Sequence, residues 1–233
     1  MELNLNERNV DFCMRAHRPL QEKAYYHLKK LIMERKLEPE VIYSETKMCS
    51  ELGISRTPFK DALVRLSQDK YIDIIPSKGF CLHKMSYDDV LSTYQVRVAV
   101  ESFCAINFAA NFEKESNQKN YEKMKGILAS MEQEVSKKPN IEVFSEFDFE
   151  FHKCLVGSAD NDEFDELFES YQYRISSLSM ENFIIPGSLM EACEEHREIL
   201  KAISEKSDAS CLYSLMQTHL EQLRDIVLSY LSY

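Results

Sequence analysis

Residues Ser44–Gly79, SETKMCSELGISRTPFKDALVRLSQDKYIDIIPSKG, decide the reading of this chain. Ser44 caps a short helix running to about Leu52, and Gly53 supplies a left-handed turn. Ser55 caps a second helix, in which Pro58 is tolerated because first-turn amides need no intrahelical partner. Ala62, Leu63, Leu66 and Phe59 face inward on it. Tyr71–Ile75 and Phe80–His83 then alternate as two short strands around Pro76–Gly79, a wing. A helix, a glycine turn, a second helix and a hairpin in this order present one helix to the major groove of DNA.

The second helix begins Ser55-Arg56-Thr57-Pro58-Phe59-Lys60, with two hydroxyls and two cations in its first turn and a half. Arg56 suits a bidentate contact to a guanine edge, the hydroxyls and helix amides suit phosphates, and Lys60 suits either. The bland alternative for Arg56 and Lys60 is a solvated helix face. Arg65 lies late in the helix and reads as an ion-pair partner within the domain. Lys78-Gly79 at the wing tip is placed to approach the minor groove or the backbone.

Outward from this stretch, residues 1–18 lack periodicity and are expected to form a mobile arm. From Pro19 the spacing turns helical, with Leu20, Ala24, Leu28, Leu31 and Ile32 on one face and Pro39 closing the segment. Ser86-Tyr87-Asp88-Asp89 has the form of a capping box and opens a long helix to about Asn111. The expected organisation is an arm (1–18), a DNA-binding domain (19–85) and a helical domain (86–233). Helices are expected at about 86–111, 116–136, 140–157, 161–181, 188–205 and 208–231. Phe147, Phe149 and Phe151 alternate as a strand would, but Ile141, Phe144, Asp148, Phe151, His152 and Leu155 hold helical spacing over a longer window.

The net charge of −11 is unevenly spread. Residues 1–85 carry 15 Lys/Arg against 12 Asp/Glu, and residues 86–233 carry 13 against 27, so the balance is +3 and then −14. A nucleic-acid module joined to an acidic domain of another purpose fits this asymmetry. The seven cysteines form no C-x-x-C pair, and with no signal peptide they suit a reducing cytoplasm. No apolar run reaches the roughly 18 residues of a membrane span.

In the acidic half, three helices each carry polar residues on an apolar stripe. Asp148 and His152 lie four apart; His196 sits with Leu189, Ala192, Cys193, Ile199 and Ile203; His219 sits with Leu212, Leu215, Met216, Leu223 and Ile226. A buried carboxylate needs a partner. Three imidazoles and a carboxylate converging in a bundle suit a divalent transition metal. One histidine on a stripe is ordinarily a hydrogen-bonded core residue, and Asp148–His152 alone would make an i,i+4 pair. On residues alone, packing and metal ligation both stay open.

Leu52-Gly53-Ile54-Ser55-Arg56-Thr57-Pro58, Lys60-Asp61-Ala62-Leu63, Leu66 and Pro76-Ser77-Lys78-Gly79 together resemble the winged helix–turn–helix of GntR-family transcriptional regulators. That resemblance implies DNA contacts at Ser55, Arg56, Thr57, Lys60, Lys78 and Gly79. Two positions depart from the pattern: Lys60 replaces the usual arginine, and Thr46 stands where many members are basic, with Lys47 beside it. The second half resembles the FCD domain of the FadR subfamily through Asp148-x3-His152, Glu195-His196-Arg197-Glu198-Ile199 and Met216-Gln217-Thr218-His219-Leu220. A count of six helices is closer to the VanR-like branch than to the seven-helix FadR branch.

The resemblance implies a mainly α protein, an N-terminal winged helix–turn–helix followed by an all-helical FCD bundle. It implies Asp148, His152, His196 and His219 as ligands of a divalent metal, zinc or nickel, with a small carboxylate metabolite filling open positions. Arg97 matches a family arginine near the metal and would pair with that carboxylate, although an i,i+4 pair with Glu101 is an equal alternative. Tyr94 and Arg174 are further pocket candidates, and Asn161 reads as a helix cap. The expected function is a homodimeric, cytoplasmic repressor on a palindromic double-stranded DNA operator. One rival is a metal-dependent enzyme acting on a small acid or ester, though no paired E-x-x-H motif is present. Another is a regulator whose metal is purely structural.

Overall fold

The structure is a computed structural model that describes residues 19–231, without the side chains at positions 222, 223 and 226–231. The expected arm and the stripe positions Leu223 and Ile226 lie outside what is described. The described residues contain ten helices and one two-stranded sheet, and they divide between Lys84 and Met85 into two compact units.

In the first unit, α1 (Leu20–Met33) buries Ala24, Tyr25, Leu28, Leu31 and Ile32. Leu20, expected on that face, is exposed at the helix start. The helix stops before Pro39: Glu34 is its C-cap and Arg35 turns left-handed at φ 52°. α2 (Glu45–Leu52) starts at Ser44, whose hydroxyl accepts from the Lys47 amide, and ends at Gly53 with φ 65°. α3 (Arg56–Gln68) buries Phe59, Ala62, Leu63 and Leu66 and packs on α1. Its N-cap, Ser55, makes no side-chain capping bond, contrary to the expected cap.

The strands β1 (Ile72–Ile75) and β2 (Gly79–Leu82) pair antiparallel, Ile72 opposite Leu82 and Ile75 opposite Gly79. Tyr43 adds a bridge to Phe80, closing the wing onto the segment that leads into α2. A Cβ at Gly79 would stand 2.0 Å from the Tyr43 carbonyl oxygen, and φ there is 137°. Glycine is therefore required by close backbone approach within the unit.

The second unit is a helical bundle. α4 (Tyr87–Ala110) opens with a complete capping box, Ser86 and Asp89 bonding each other's backbone amides. α5 (Glu115–Val135), α6 (Ile141–Gly157), α7 (Asp162–Ser170), α8 (Gln172–Phe183), α9 (Ser188–Ser204) and α10 (Ala209–Leu231) follow. The unit thus has seven helical segments where periodicity gave six. The segment expected at 161–181 breaks at Tyr171, where ψ is −3° and the amide bonds back to Phe168 in a tighter turn. The described residues thus depart from the count of six on which the likeness to the VanR-like branch was expected.

Helix α6 is central, packing against α4, α5, α7 and α8, while α4 packs along α10. The phenylalanine-rich stretch 147–151 is helical: Phe149 stacks on Phe168 of α7 at 5.3 Å between centroids, and Phe151 points into the core. No helix among the described residues is long and apolar enough to cross a membrane.

Candidate functional site

In the second unit, α6, α9 and α10 each deliver one imidazole to a common point. His152 and His196 are completely buried and His219 nearly so. His152 Nε2 stands 3.1 Å from His196 Nε2 and 3.1 Å from His219 Nε2. Asp148, one turn before His152, places Oδ1 3.6 Å from His196 Nε2 and 3.8 Å from His152 Nε2, while its Oδ2 accepts from the Ser179 hydroxyl at 3.0 Å. The three histidines form the tight group, with Asp148 at its flank beside two of them.

This donor set fits a transition metal. Atoms bound to one ion at about 2.0–2.2 Å stand roughly 3–3.5 Å from one another, which is the spacing of the imidazole nitrogens. Burial, followed by the opposing pull of Glu101, leaves His152 below its ordinary pKa. Burial and then the neighbouring His219 and His152 charges hold His196 well below it. Both rings are therefore neutral at neutral pH, the state a metal needs. His196 Nδ1 is buried without a partner, and its ring stacks on Phe151 at 4.1 Å.

Arg97 and Glu101 join this cluster from α4. Arg97 Nε donates to Glu101 Oε1 at 2.6 Å, so the i,i+4 pair foreseen as an alternative is present, buried on both sides. Glu101 Oε2 also lies 2.6 Å from His152 Nδ1. Burial would raise the Glu101 carboxyl, but Arg97 and then His152 outweigh it and hold it well below the usual range. On the far side, Glu195 Oε2 lies 2.6 Å from His219 Nδ1.

A cavity of about 30 Å³ adjoins the cluster, lined by Arg97, Asp148, His152, His219, Ser179 and Asn182 among others. That is room for an ion with one or two small ligand atoms. Asn182 Oδ1 is buried there without a partner. Of the expected effector contacts, Arg97 lines the cavity, while Tyr94 and Arg174 are not among its lining residues. The Tyr94 hydroxyl donates to Glu221 at 3.0 Å, and Arg174 stacks on Tyr171 at 3.4 Å with Nε buried and unpartnered. Glu101 beside His152 and Asn182 in the cavity escaped the sequence reading as site residues, and Glu195, part of the motif around His196, was not foreseen as the partner of His219.

In the first unit, Ser55, Arg56, Thr57 and Lys60 are exposed together at the start of α3, and Lys78 is exposed at the wing tip. Gly79 is buried against Tyr43. Arg56 Nη2 donates to Thr46 Oγ1 at 3.2 Å, which gives the departure at position 46 a local role in holding the guanidinium. Arg65 stacks on the Tyr25 ring at 4.2 Å rather than forming the expected ion pair.

Comparison with known proteins agrees with this architecture. Residues 20–82 match the model for bacterial regulatory proteins of the gntR family, and residues 92–222 match the FCD domain. The chain is 24% identical over 222 residues to the HTH-type transcriptional repressor RspR of Escherichia coli K12, covering 94% of this chain and 93% of that one. It is 31% identical over 86 residues to an HTH-type transcriptional regulator from the ttuE-ttuC′ intergenic region of Agrobacterium vitis, itself uncharacterized, of which it spans half. The solved structure of E. coli McbR/YncC superposes with a TM-score of 0.68 at 17% identity, over 92% of this chain and 98% of that one, a likeness of fold. With one unit matching the DNA-binding model and more than half the chain matching the FCD model, the chain belongs to the gntR family of transcriptional regulators that carry an FCD domain.

Proposed function

We propose that this regulator binds its operator through the start of α3 and the wing, under control of a divalent metal and a small carboxylate effector held in the second unit. The observation that carries the reading is the convergence of three imidazole Nε2 atoms beside Asp148, in a polar cavity that Arg97 also lines. Asp148, His152, His196 and His219 would hold the ion, zinc or nickel. Bound there, it would supply a Lewis-acidic centre for an anionic oxygen. Arg97 would pair with the effector carboxylate, the unpartnered Asn182 Oδ1 would accept from a donor group on the effector, and Tyr94 and Arg174 would act at its periphery.

On the DNA side, Arg56 would read a base edge, Ser55, Thr57 and Lys60 would meet phosphates, and Lys78 would reach the backbone beside the wing. We carry over homodimer formation on a palindromic operator and repression, the latter in keeping with the printed role of RspR. Exposed Phe103, which meets Phe164 edge-on at 5.7 Å, and exposed Leu167 offer an apolar face for a second copy.

Support for coupling comes from α8. Ser179 bonds Asp148, while its neighbour Leu178 packs on Val90 with Met85, at the junction from which α4 starts. A shift of α8 on ligand binding would therefore reach residues 84–87, a coupling between two sites through one packed element. The test is to purify the protein without added metal, count bound divalent ions in wild type and His196→Ala, and select genomic operators with Arg56→Ala alongside. Near-stoichiometric metal lost in His196→Ala, with specific binding lost in Arg56→Ala, is the expected result. A reconstituted wild type that takes up no metal contradicts the metal half; selection of the same operators by Arg56→Ala contradicts the DNA half.

A further inference from the structure

The carboxylates behind the histidines decide which ring nitrogen carries the proton. Glu101 is fully buried: its Oε1 accepts from Arg97 Nε at 2.6 Å, and its Oε2 stands 2.6 Å from His152 Nδ1 but out of line with the ring N–H, so that nitrogen makes no hydrogen bond. Glu195 Oε2 faces His219 Nδ1 at the same distance. An ionised carboxylate only accepts. A carboxylate beside Nδ1 favours the ring proton on that nitrogen, by a hydrogen bond at His219 and by its charge alone at His152, and with the proton there Nε2 is a bare lone pair. These two bare nitrogens stand 3.1 Å apart, where they repel unless a positive centre lies between them. His196 is different: like His152 its Nδ1 makes no hydrogen bond, but its carboxylate neighbour, Asp148, stands at Nε2 within the cluster rather than behind the ring.

We infer that Glu101 and Glu195 are positioning residues that favour the Nδ1–H tautomer of His152 and His219, Glu195 through a hydrogen bond and Glu101 through its charge, and that Glu101, bonded to Arg97 and close against His152, ties the cavity-lining Arg97 to a metal ligand. The inference rests on the metal reading above. It gives Glu101 a role that an Arg97–Glu101 helix pair alone would not have. Carboxylate partners of this kind orient the ring and raise its basicity as a ligand. Glutamine at position 101 would keep one accepting oxygen and replace the other with an NH₂ donor, so Arg97 or His152 would meet a donor instead. Position 195 is partly exposed, and an amide there can still turn its oxygen to His219.

The experiment uses full-length, metal-stripped protein in four forms: wild type, Glu101→Gln, Glu195→Ala and Glu195→Gln. Zinc affinity is read by competition with a chromophoric chelator, and histidine tautomers by ring-nitrogen NMR before metal is added. Zinc affinity should fall about 10–100-fold in Glu101→Gln and Glu195→Ala, with mixed tautomers at His152 and His219 respectively, while Glu195→Gln stays near wild type. Wild-type zinc affinity and unchanged tautomers in Glu101→Gln and Glu195→Ala would overturn the inference. Should Glu101→Gln fail to fold, the alanine and glutamine variants at 195 decide it. Should wild type bind no zinc, the metal reading fails separately, and a mixed tautomer at His152 or His219 in wild type would overturn the positioning roles too.

Discussion

Removing His196 tests the site most sharply, because its ring is fully buried and its Nε2 lies close to both His152 and Asp148. Metal that binds only the folded state stabilises it by about 2.7 kcal/mol at a free concentration of 100 times Kd. A unit of 149 residues (85–233) shifts its melting temperature by about 2–4 °C per kcal/mol, so zinc at that level should raise it by roughly 5–10 °C. His196→Ala also leaves a hole beside Phe151, costing about 2–4 kcal/mol before any metal is added. The quantity to compare is therefore the zinc-dependent shift, not the absolute melting temperature. Scanning calorimetry with and without zinc should give the full shift in wild type and little or none in His196→Ala. An equal shift in both would refute the assignment of His196 as a ligand.

Three other outcomes follow from particular contacts. Gly79→Ala puts a Cβ into the Tyr43 carbonyl at a left-handed φ and should cost about 2–6 kcal/mol in urea unfolding, whereas Gly53→Ala, with open space around it, should cost about 1–2; similar losses would contradict the close approach. Lys78→Ala should weaken binding to all DNA sequences alike and reduce the salt slope by about one, a change absent if the wing tip does not touch phosphate. Metal-free protein should lose stability as pH falls below about 6.5. His152 and His196 have folded pKa values below the unfolded one, so the unfolded state binds more protons in that window and stability rises with pH. Thermal melts at pH 7.5 and 5.5 read this directly, and His196→Ala should flatten part of the dependence; equal slopes in the variant and wild type would contradict it.

The DNA-binding unit was legible because its signals are local. Ser44, Gly53 and Pro58 each act within a few residues of backbone, and the observed boundaries of α2, α3 and the wing follow them. Asp148 and His152 showed on one helix face, and His196 and His219 stood out as polar residues on apolar stripes. The partners behind them did not show. Glu101 meets His152 only because α4 packs on α6, and from sequence its natural reading is a pair with Arg97. Glu195 lies beside His196 in the chain yet serves His219 on another helix. The break at Tyr171 escaped because apolar spacing continues through it, and Gly79 read as a DNA contact because the Tyr43 bridge is a tertiary feature.

The central claim is that a metal in the second unit governs DNA binding by the first. Operator affinity should be measured by fluorescence anisotropy at fixed salt for metal-loaded and chelator-stripped protein, in wild type and in His196→Ala. Couplings of this kind amount to about 1–3 kcal/mol, so loaded and stripped wild type should differ by about 5–150-fold while His196→Ala shows no difference. Equal operator affinity in loaded and stripped wild type, with metal content verified on the same samples, would contradict the account.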